Sequence, residues 1–317
     1  MGTVIDRVDI ARARWRDRHS ALHLAVSAAN DCLQRAGCDP NELDLVVNAG
    51  IYRDRNLGEP ALAALIQDDI GANPEDPHDD AHGTFSFDIA NGACGVLTAL
   101  QIVDGFLRSH SIDRALVVAS DANPGHGMSE HFPFSATGAA VLCGWTDDSY
   151  GLGRVSWVNA YDSQDGSEIF SATVGFADAR NVLRFSQAAD MDERFAAAAA
   201  QAAHECLDAQ SVPLSDIDLI VAAPARPGYR TALANRLGVP VDKISVADDQ
   251  RMHTAALAAA FEQHADRLPV GAQILLVAAG AGVTAGAALY CQPPPSFRTF
   301  DPHGEVTGER TVSEWSI

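Results

Sequence analysis

Apolar positions along this chain fall into two patterns, and the patterns recur in order. From Ala28 to Gly50, AANDCLQRAGCDPNELDLVVNAG first spaces its apolar residues along one helix face, then breaks at a polar turn, then ends in a short run that suits a buried strand. The stretch Ala202 to Pro224, AAHECLDAQSVPLSDIDLIVAAP, lies over it without a gap: Cys32 falls on Cys206, Leu33 on Leu207, Asp44 on Asp218 and Val47 on Val221, all at one offset of 174. RALVVASD from Arg114 matches QILLVAAG from Gln273 at an offset of 159, and GAAVLC from Gly138 matches GAALYC from Gly286 at 148. Three matched blocks in one order predict a duplicated α/β unit. The alternation of helix and strand predicts layered sheets flanked by helices, with two halves meeting near residues 145–160 about an approximate two-fold axis.

The 159 offset carries a chemical consequence, because it maps Cys94 onto His253. Cys94 stands between FSFDIANGA and GVLTALQIVDGFLRSH, at a strand-to-helix turn; His253 precedes TAALAAAFEQHADRL, a second helix. Halves related by a two-fold axis turn these helix N-termini toward one another, one carrying a thiol and the other an imidazole. A helix N-terminus favours the thiolate by about 0.3–1 kcal/mol, and the imidazole completes the activation. Taken singly, such a cysteine is a small core residue and such a histidine a satisfied polar group. Their pairing through the repeat, and the small neighbours in GACG, favour a nucleophilic Cys–His site approached closely by a ligand.

Composition narrows the classes. With 317 residues, 47% hydrophobic and 20% charged, the chain is neither disordered nor collagenous nor a coiled coil. Its 42 acidic residues against 22 basic ones give a net charge of −20, which repels a nucleic-acid backbone. No stretch approaches the roughly 18 apolar residues of a spanning helix. The polar N-terminus is no signal peptide, so a cytoplasmic location is expected. The six cysteines form no CxxC pair and are expected to be reduced. Lys243 is the single lysine, which excludes a P-loop and leaves one candidate for Schiff-base chemistry.

The chain resembles the ketoacyl-ACP synthase III-type members of the thiolase superfamily over about residues 20–291. The resemblance is carried by FDIANGACGVLTALQIVDGFLRSHSIDRALVVASD, GAAVLCG, LSDIDLIVAAPARPGYRTALANRLGV and ILLVAAGAGVTAGAALY. It implies an α/β thiolase fold of duplicated halves in a five-layered αβαβα arrangement: an N-terminal half over 1–150 with the nucleophile Cys94, a C-terminal half over 151–291 with His253, and a tail over 292–317. It further implies a homodimer, a heterodimer being the alternative, and no resident cofactor, with coenzyme A or the phosphopantetheine of an acyl carrier protein as acyl carrier. The expected reaction is ping-pong acyl transfer from acyl-CoA or acyl carrier protein through Cys94. The backbone N–H groups of Cys94 and Ala281 are expected to form the oxyanion hole.

Two departures from the family pattern bear on the reaction. Where the family carries a His in a PHQAN-like segment, this chain reads Ala222-Ala223-Pro224-Ala225-Arg226, with Ala223 at the His position; where it carries an Asn in a GNT-like segment, the chain has Met252-His253-Thr254. In the family those two side chains stabilise the enolate formed when a malonyl thioester loses CO₂. Removing one such donor costs about 10²–10³ in rate. Attack by a hydroxyl, amine or thiol needs mainly a base, which His253 supplies. The expectation is therefore transfer to a heteroatom acceptor; the alternatives are decarboxylative condensation and a non-catalytic partner subunit in a heterodimer. The opening segment is also shorter than the family's.

The remaining motifs are assigned more plainly. GAGVTAG at 280–286 has the spacing of a dinucleotide loop, but the following AALYC reads as a strand rather than a helix. His78, Asp79, Asp80 and His82 lie in an acidic, Pro-containing loop without the spacing of a metal site. Five arginines close to the N-terminus, Arg7, Arg12, Arg14, Arg16 and Arg18, form a basic patch suited to an anionic carrier. Arg18, Arg226 and Arg230 are the candidates for contact with coenzyme A or the carrier protein. The PPPSF segment suggests an extended surface path for the tail.

Overall fold

A computed structural model describes residues 2–13, 19–73, 83–159, 170–177 and 180–294. Along the chain these form β1 (Gly2–Arg12), α1 (Ala21–Ala36), β2 (Leu45–Asn48), α2 (Leu62–Ile70), β3 (Phe85–Asp88), α3 (Gly95–Arg108), β4 (Ala115–Asp121), β5 (Thr137–Thr146), β6 (Gly151–Leu152) and β7 (Ser156–Asn159). The second half contributes β8 (Phe170–Ala177), β9 (Arg180–Gln187), α4 (Met191–Gln210), β10 (Leu219–Ala223), α5 (Pro227–Leu237), β11 (Ile244–Ser245), α6 (Ala256–Ala265), β12 (Gln273–Gly280) and β13 (Thr284–Cys291).

The strand path runs β11-β10-β12-β13-β6-β1-β5-β4-β2-β3, with β7 paired to β13. Its two arms meet at Leu152, which pairs with Thr3 on one side and Tyr290 on the other. In each arm the inner strands are parallel and the return strand antiparallel: Leu45 pairs with Ala115 and Leu219 with Ile274 in the parallel ladders, and β4–β5 and β12–β13 run antiparallel.

Alternation along these strands builds the layers. Val46, Leu116, Val118 and Leu142 point outward and pack with Leu24, Ala28, Leu33 and Ile66 of α1 and α2. Ile220, Leu275, Val277 and Leu289 point outward from the other arm, onto Phe195, Ala199 and Leu233 of α4 and α5. The inward faces, with Val47, Val117 and Val141 from one arm and Val221, Leu276 and Tyr290 from the other, enclose Leu97 and Leu100 of α3 and Leu257 and Phe261 of α6. Helices, sheet, central helices, sheet and helices give the αβαβα order expected from the sequence. The two helices of the centre are those that follow Cys94 and His253.

Duplication extends to small details. One 3-10 turn, Pro40–Glu42, follows α1, and its counterpart at the 174 offset, Leu214–Asp216, follows α4. One offset needs correction. The ladders pair Ala115 with Cys143 and Ile274 with Tyr290, so Cys143 corresponds to Tyr290, an offset of 147 rather than 148. The reason is the two-residue period of a strand: an offset of 148 equates Leu142, which faces the outer helices, with Tyr290, which faces the central layer.

β1 is an eleven-residue strand that pairs along the length of β5, so the short opening segment still completes the sheet. The β8–β9 hairpin has no counterpart among the described residues of the first half and brings Phe185 and Gln187 toward the site. Met128 and Glu130 pair with Leu183 through backbone hydrogen bonds. Among the described residues no helix is long and apolar enough to cross a membrane.

Candidate active site

Cys94 closes a 3-10 turn, Gly92–Cys94, and stands at the N-cap of α3. Gly92 has φ +51, in the left-handed region that glycine tolerates. The sulfur is buried, with the Thr284 carbonyl 3.5 Å away, and a Cβ added at Gly280 would stand 3.3 Å from it. Burial pushes the thiol up to about 12. The sequence led us to expect a thiol lowered by the helix N-terminus and the imidazole. Desolvation in the enclosed turn acts in the opposite direction and favours the neutral thiol.

His253 lies on the loop before α6, and its Nδ1 is 3.2 Å from Oδ2 of Asp121, the last residue of β4. The same carboxylate oxygen accepts hydrogen bonds from the Thr254 amide at 2.9 Å and the Thr254 hydroxyl at 2.6 Å, while Oδ1 accepts from the Tyr52 amide at 3.0 Å. Burial pushes this carboxyl upward. The His253 ring, the Thr254 hydroxyl and the Tyr52 amide more than offset that, so it sits below the ordinary carboxylate range. An ionised carboxylate only accepts, so Nδ1 carries the proton and Nε2 is left with its lone pair. Nε2 faces the cysteine turn: a Cβ placed on Gly92 would be 3.5 Å from it.

The Phe134 ring stacks on the imidazole, centroids 4.1 Å apart and 18° between planes, and the Tyr52 ring lies against both, 5.3 Å from Phe134 and 5.4 Å from the imidazole. Phe132 and Phe185 close this aromatic group edge-on. Tyr52 thus holds the pair twice, through its amide on Asp121 and its ring against the imidazole and Phe134.

The repeat accounts for this geometry. Cys94 and His253 correspond at the 159 offset, and so do the strand ends Asp121 and Gly280. Each turn residue packs on the strand end of the opposite half, Cys94 on Gly280 and His253 on Asp121. At one crossing the glycine leaves room for sulfur; at the other the carboxylate holds the imidazole. Asp121 and the aromatic group were absent from our sequence reading. The signal for Asp121 was a carboxylate ending the apolar run ALVVASD.

A cavity of about 240 Å³ opens beside the pair and is lined by Ala93, Gly280 and His253, by Phe134 and Met252 as apolar walls, and by Gln187, Gln250, Arg226 and Arg251. Ala223, at the position where the family has its second histidine, is buried in the central cluster with Cys94 and supplies no donor. The Cys94 amide donates to the Asn91 carbonyl at 3.0 Å, so it reaches an oxyanion as a shared donor. Ala281 opens the 3-10 turn Ala281–Val283 directly after Gly280.

Of the arginines expected to contact a carrier, Arg226 lines the cavity with its guanidinium bonded to Asp192 at 2.5 Å. Arg230 lies on α5 and donates to the Val241 carbonyl at 3.1 Å, away from the cavity lining. Arg18 lies outside the described residues, as do Arg14 and Arg16, the loop with His78, Asp79, Asp80 and His82, and the tail from 295 onward. Arg7 is bonded to Asp9. The GAGVTAG segment joins two antiparallel strands, as its strand-like continuation implied, and opens no helix.

Residues 207–291 match the family described as 3-oxoacyl-[acyl-carrier-protein (ACP)] synthase III C terminal. The chain is 29% identical over 287 residues to a beta-ketoacyl-[acyl-carrier-protein] synthase III of Erythrobacter litoralis, covering 84% of this chain and 82% of that protein. It is 27% identical over 301 residues to one of Ehrlichia canis, covering 86% and 84%. In fold it is similar to the 3-oxoacyl-[acyl-carrier-protein] synthase III of Aquifex aeolicus, with TM-score 0.74, 20% identity, and 92% of this chain and 100% of that one covered. The priming beta-ketosynthase of the R1128 polyketide pathway has the same TM-score and identity, with 92% and 98% covered. Sequence relatives, the C-terminal match and the layered fold agree in one likeness: the chain is similar to the ketoacyl-ACP synthase III enzymes.

Proposed function

We propose that this protein is an acyltransferase that takes an acyl group from a coenzyme A or acyl carrier protein thioester onto Cys94 and passes it to a heteroatom nucleophile. The observation that carries the reading is the ordered line from Asp121 through His253 toward the Cys94 turn. Asp121 fixes the Nδ1–H tautomer and stabilises the imidazolium once formed. Nε2 takes the thiol proton as sulfur attacks the thioester carbonyl; the carrier's C–S bond breaks, and the departing thiolate takes that proton from His253. In the second half, Nε2 takes the proton of an incoming hydroxyl, amine or thiol as its heteroatom bonds to the acyl carbon; the bond to the Cys94 sulfur breaks, and that sulfur takes the proton back from Nε2. A thiol held neutral by burial suits this order, because the nucleophile forms only when the substrate has displaced solvent. The backbone amides of Cys94 and Ala281 are assigned to the oxyanion.

Preference for a heteroatom over malonyl decarboxylation rests on Ala223, which supplies no side-chain donor to an enolate, and on the lone pair at His253 Nε2, which suits a base better than an enolate donor. Relatives named beta-ketoacyl-[acyl-carrier-protein] synthase III favour condensation as the second reading. Presenting the acyl-enzyme with hydroxylamine or a simple alcohol, and separately with malonyl thioester, separates the two. Transfer to the heteroatom with negligible CO₂ release supports the proposal, whereas CO₂ release coupled to ketoester formation at about 1 s⁻¹ or faster overturns the preference.

The site speaks against a non-catalytic partner subunit, since nucleophile, base and orienting carboxylate are all in one chain. A homodimer is part of the proposal, supported by the edge strand β3, which leaves Phe85 58% exposed next to Phe87.

A further inference from the structure

The repeat extends to a second cavity. Gly50 and Tyr52 stand at the 174 offset from Pro224 and Arg226, which line the active-site cavity, and the same two residues line a cavity of about 400 Å³ beyond the end of β2. Ile89 and Ala90, which lead from β3 into the Cys94 turn, line it as well. Its apolar side chains include Ile51, Leu57 and Leu183, and its polar ones are already committed. Asp88 accepts from the Leu62 and Ala63 amides, Asn56 donates to the Met128 and Asn181 carbonyls, and Arg53 donates to the Leu57, Gly58 and Pro60 carbonyls. Such a space suits an apolar occupant. One ring stands between the two cavities. Tyr52 lines the second and is 7% exposed, while its ring lies 5.4 Å from the imidazole and 5.3 Å from Phe134, both of which line the first. Phe132 and Phe185 brace that ring edge-on.

We infer that Tyr52 sets the length of the acyl group: its ring ends the space beside the Cys94 thioester after a few carbons and seals off the second cavity. The inference rests on the proposed acylation of Cys94. The direction of the chain follows from the thioester itself. The carrier arm fills the first cavity, whose mouth is formed by the exposed Gln250 and Arg251. The acyl chain leaves the other side of the carbonyl and therefore runs inward, toward the imidazole, Phe134 and Tyr52. At the counterpart position Arg226 turns onto Asp192 and the first cavity stays open. At Tyr52 a buried aromatic ring fills the corresponding place, so the two cavities flank the Cys94–His253 pair without joining.

Acetyl-CoA and octanoyl-CoA carry the same arm and differ only in the chain. The ratio of their Cys94 loading rates, read by intact mass, isolates chain length, and any general loss from disturbing the imidazole divides out. Acetyl should load faster by about tenfold or more in the native protein. The ratio should shift toward octanoyl by at least about tenfold in Tyr52→Ala and by less in Tyr52→Leu, since each further methylene buried in the opened space is worth about fourfold. Leu57→Trp, which narrows the second cavity, should leave the native ratio unchanged and cut the gain when combined with Tyr52→Ala. Octanoyl loading as fast as acetyl in the native protein overturns the inference. So does a ratio that stays the same in the folded Tyr52 variants, or a gain that Leu57→Trp leaves intact. In each of these cases the loading itself sustains the proposed function, whereas absence of any loading removes the proposed function and this inference together.

Discussion

Asp121 and His253 are 132 residues apart in sequence and joined by a hydrogen bond of 3.2 Å between the end of β4 and the loop before α6. That bond decides which imidazole nitrogen is basic. Asp121→Asn presents an amide whose NH₂ group meets donors from Tyr52 and Thr254, so the imidazole loses both its orientation and its tautomer. Acyl transfer should fall by about 10²–10⁴. Single-turnover loading measured beside a thermal melt checks this, since a folded variant with native loading would mean that Asp121 serves the fold alone.

The buried thiol gives a pH prediction with a definite sign. Burial pushes Cys94 up to about 12, so the protonated form is the resting one at neutral pH and the thiolate fraction grows tenfold per pH unit. Alkylation of Cys94 by iodoacetamide should be slow at pH 7 and still rising at pH 10, without the plateau of a free thiol near about 8.5. Peptide mapping of alkylated Cys94 across that range measures it. A plateau below pH 9 would mean that the imidazole already holds a thiolate.

Gly280 allows the two halves to meet at the sulfur. An added Cβ would stand 3.3 Å from Cys94 Sγ, in backbone that is otherwise extended, with φ −148. Gly280→Ala should therefore fold with little loss of stability and load acyl groups at least about tenfold more slowly, since small displacements of a nucleophile are costly. Native loading rates in a folded Gly280→Ala protein would contradict the close packing.

Ala223→His returns a side-chain donor to the place where the family has one. Ala223 is fully buried next to Pro224, which lines the cavity. In a folded variant, CO₂ release from malonyl thioester should rise more than transfer to a heteroatom. Parallel assays of both reactions on this variant test whether the missing donor sets the reaction type.

Much of this architecture was legible in the sequence because it is duplicated, and duplication turns a weak local signal into a comparison. Cys94 and His253 are ordinary residues when taken singly; the 159 offset joined them. The same logic failed at Asp121, whose counterpart is Gly280. A repeat search rewards likeness, whereas the two strand ends do different work. The slip from 147 to 148 in the last block has a related origin. Alanine- and glycine-rich strands align well in two registers, and only the faces occupied by Leu142 and Tyr290 separate them. The β8–β9 hairpin and its Phe185 lie outside the repeat altogether, so nothing in the first half announced the aromatic group around the imidazole.

Formation of an acyl-enzyme is the claim on which the account stands. Incubating the full chain with acyl-CoA thioesters of several chain types and recording the intact mass tests it directly. The expected result is a mass increase by one acyl group that maps to Cys94, disappears in Cys94→Ala and forms far more slowly in His253→Ala. A folded protein whose mass is unchanged by every donor, or an adduct that survives in Cys94→Ala, would contradict it.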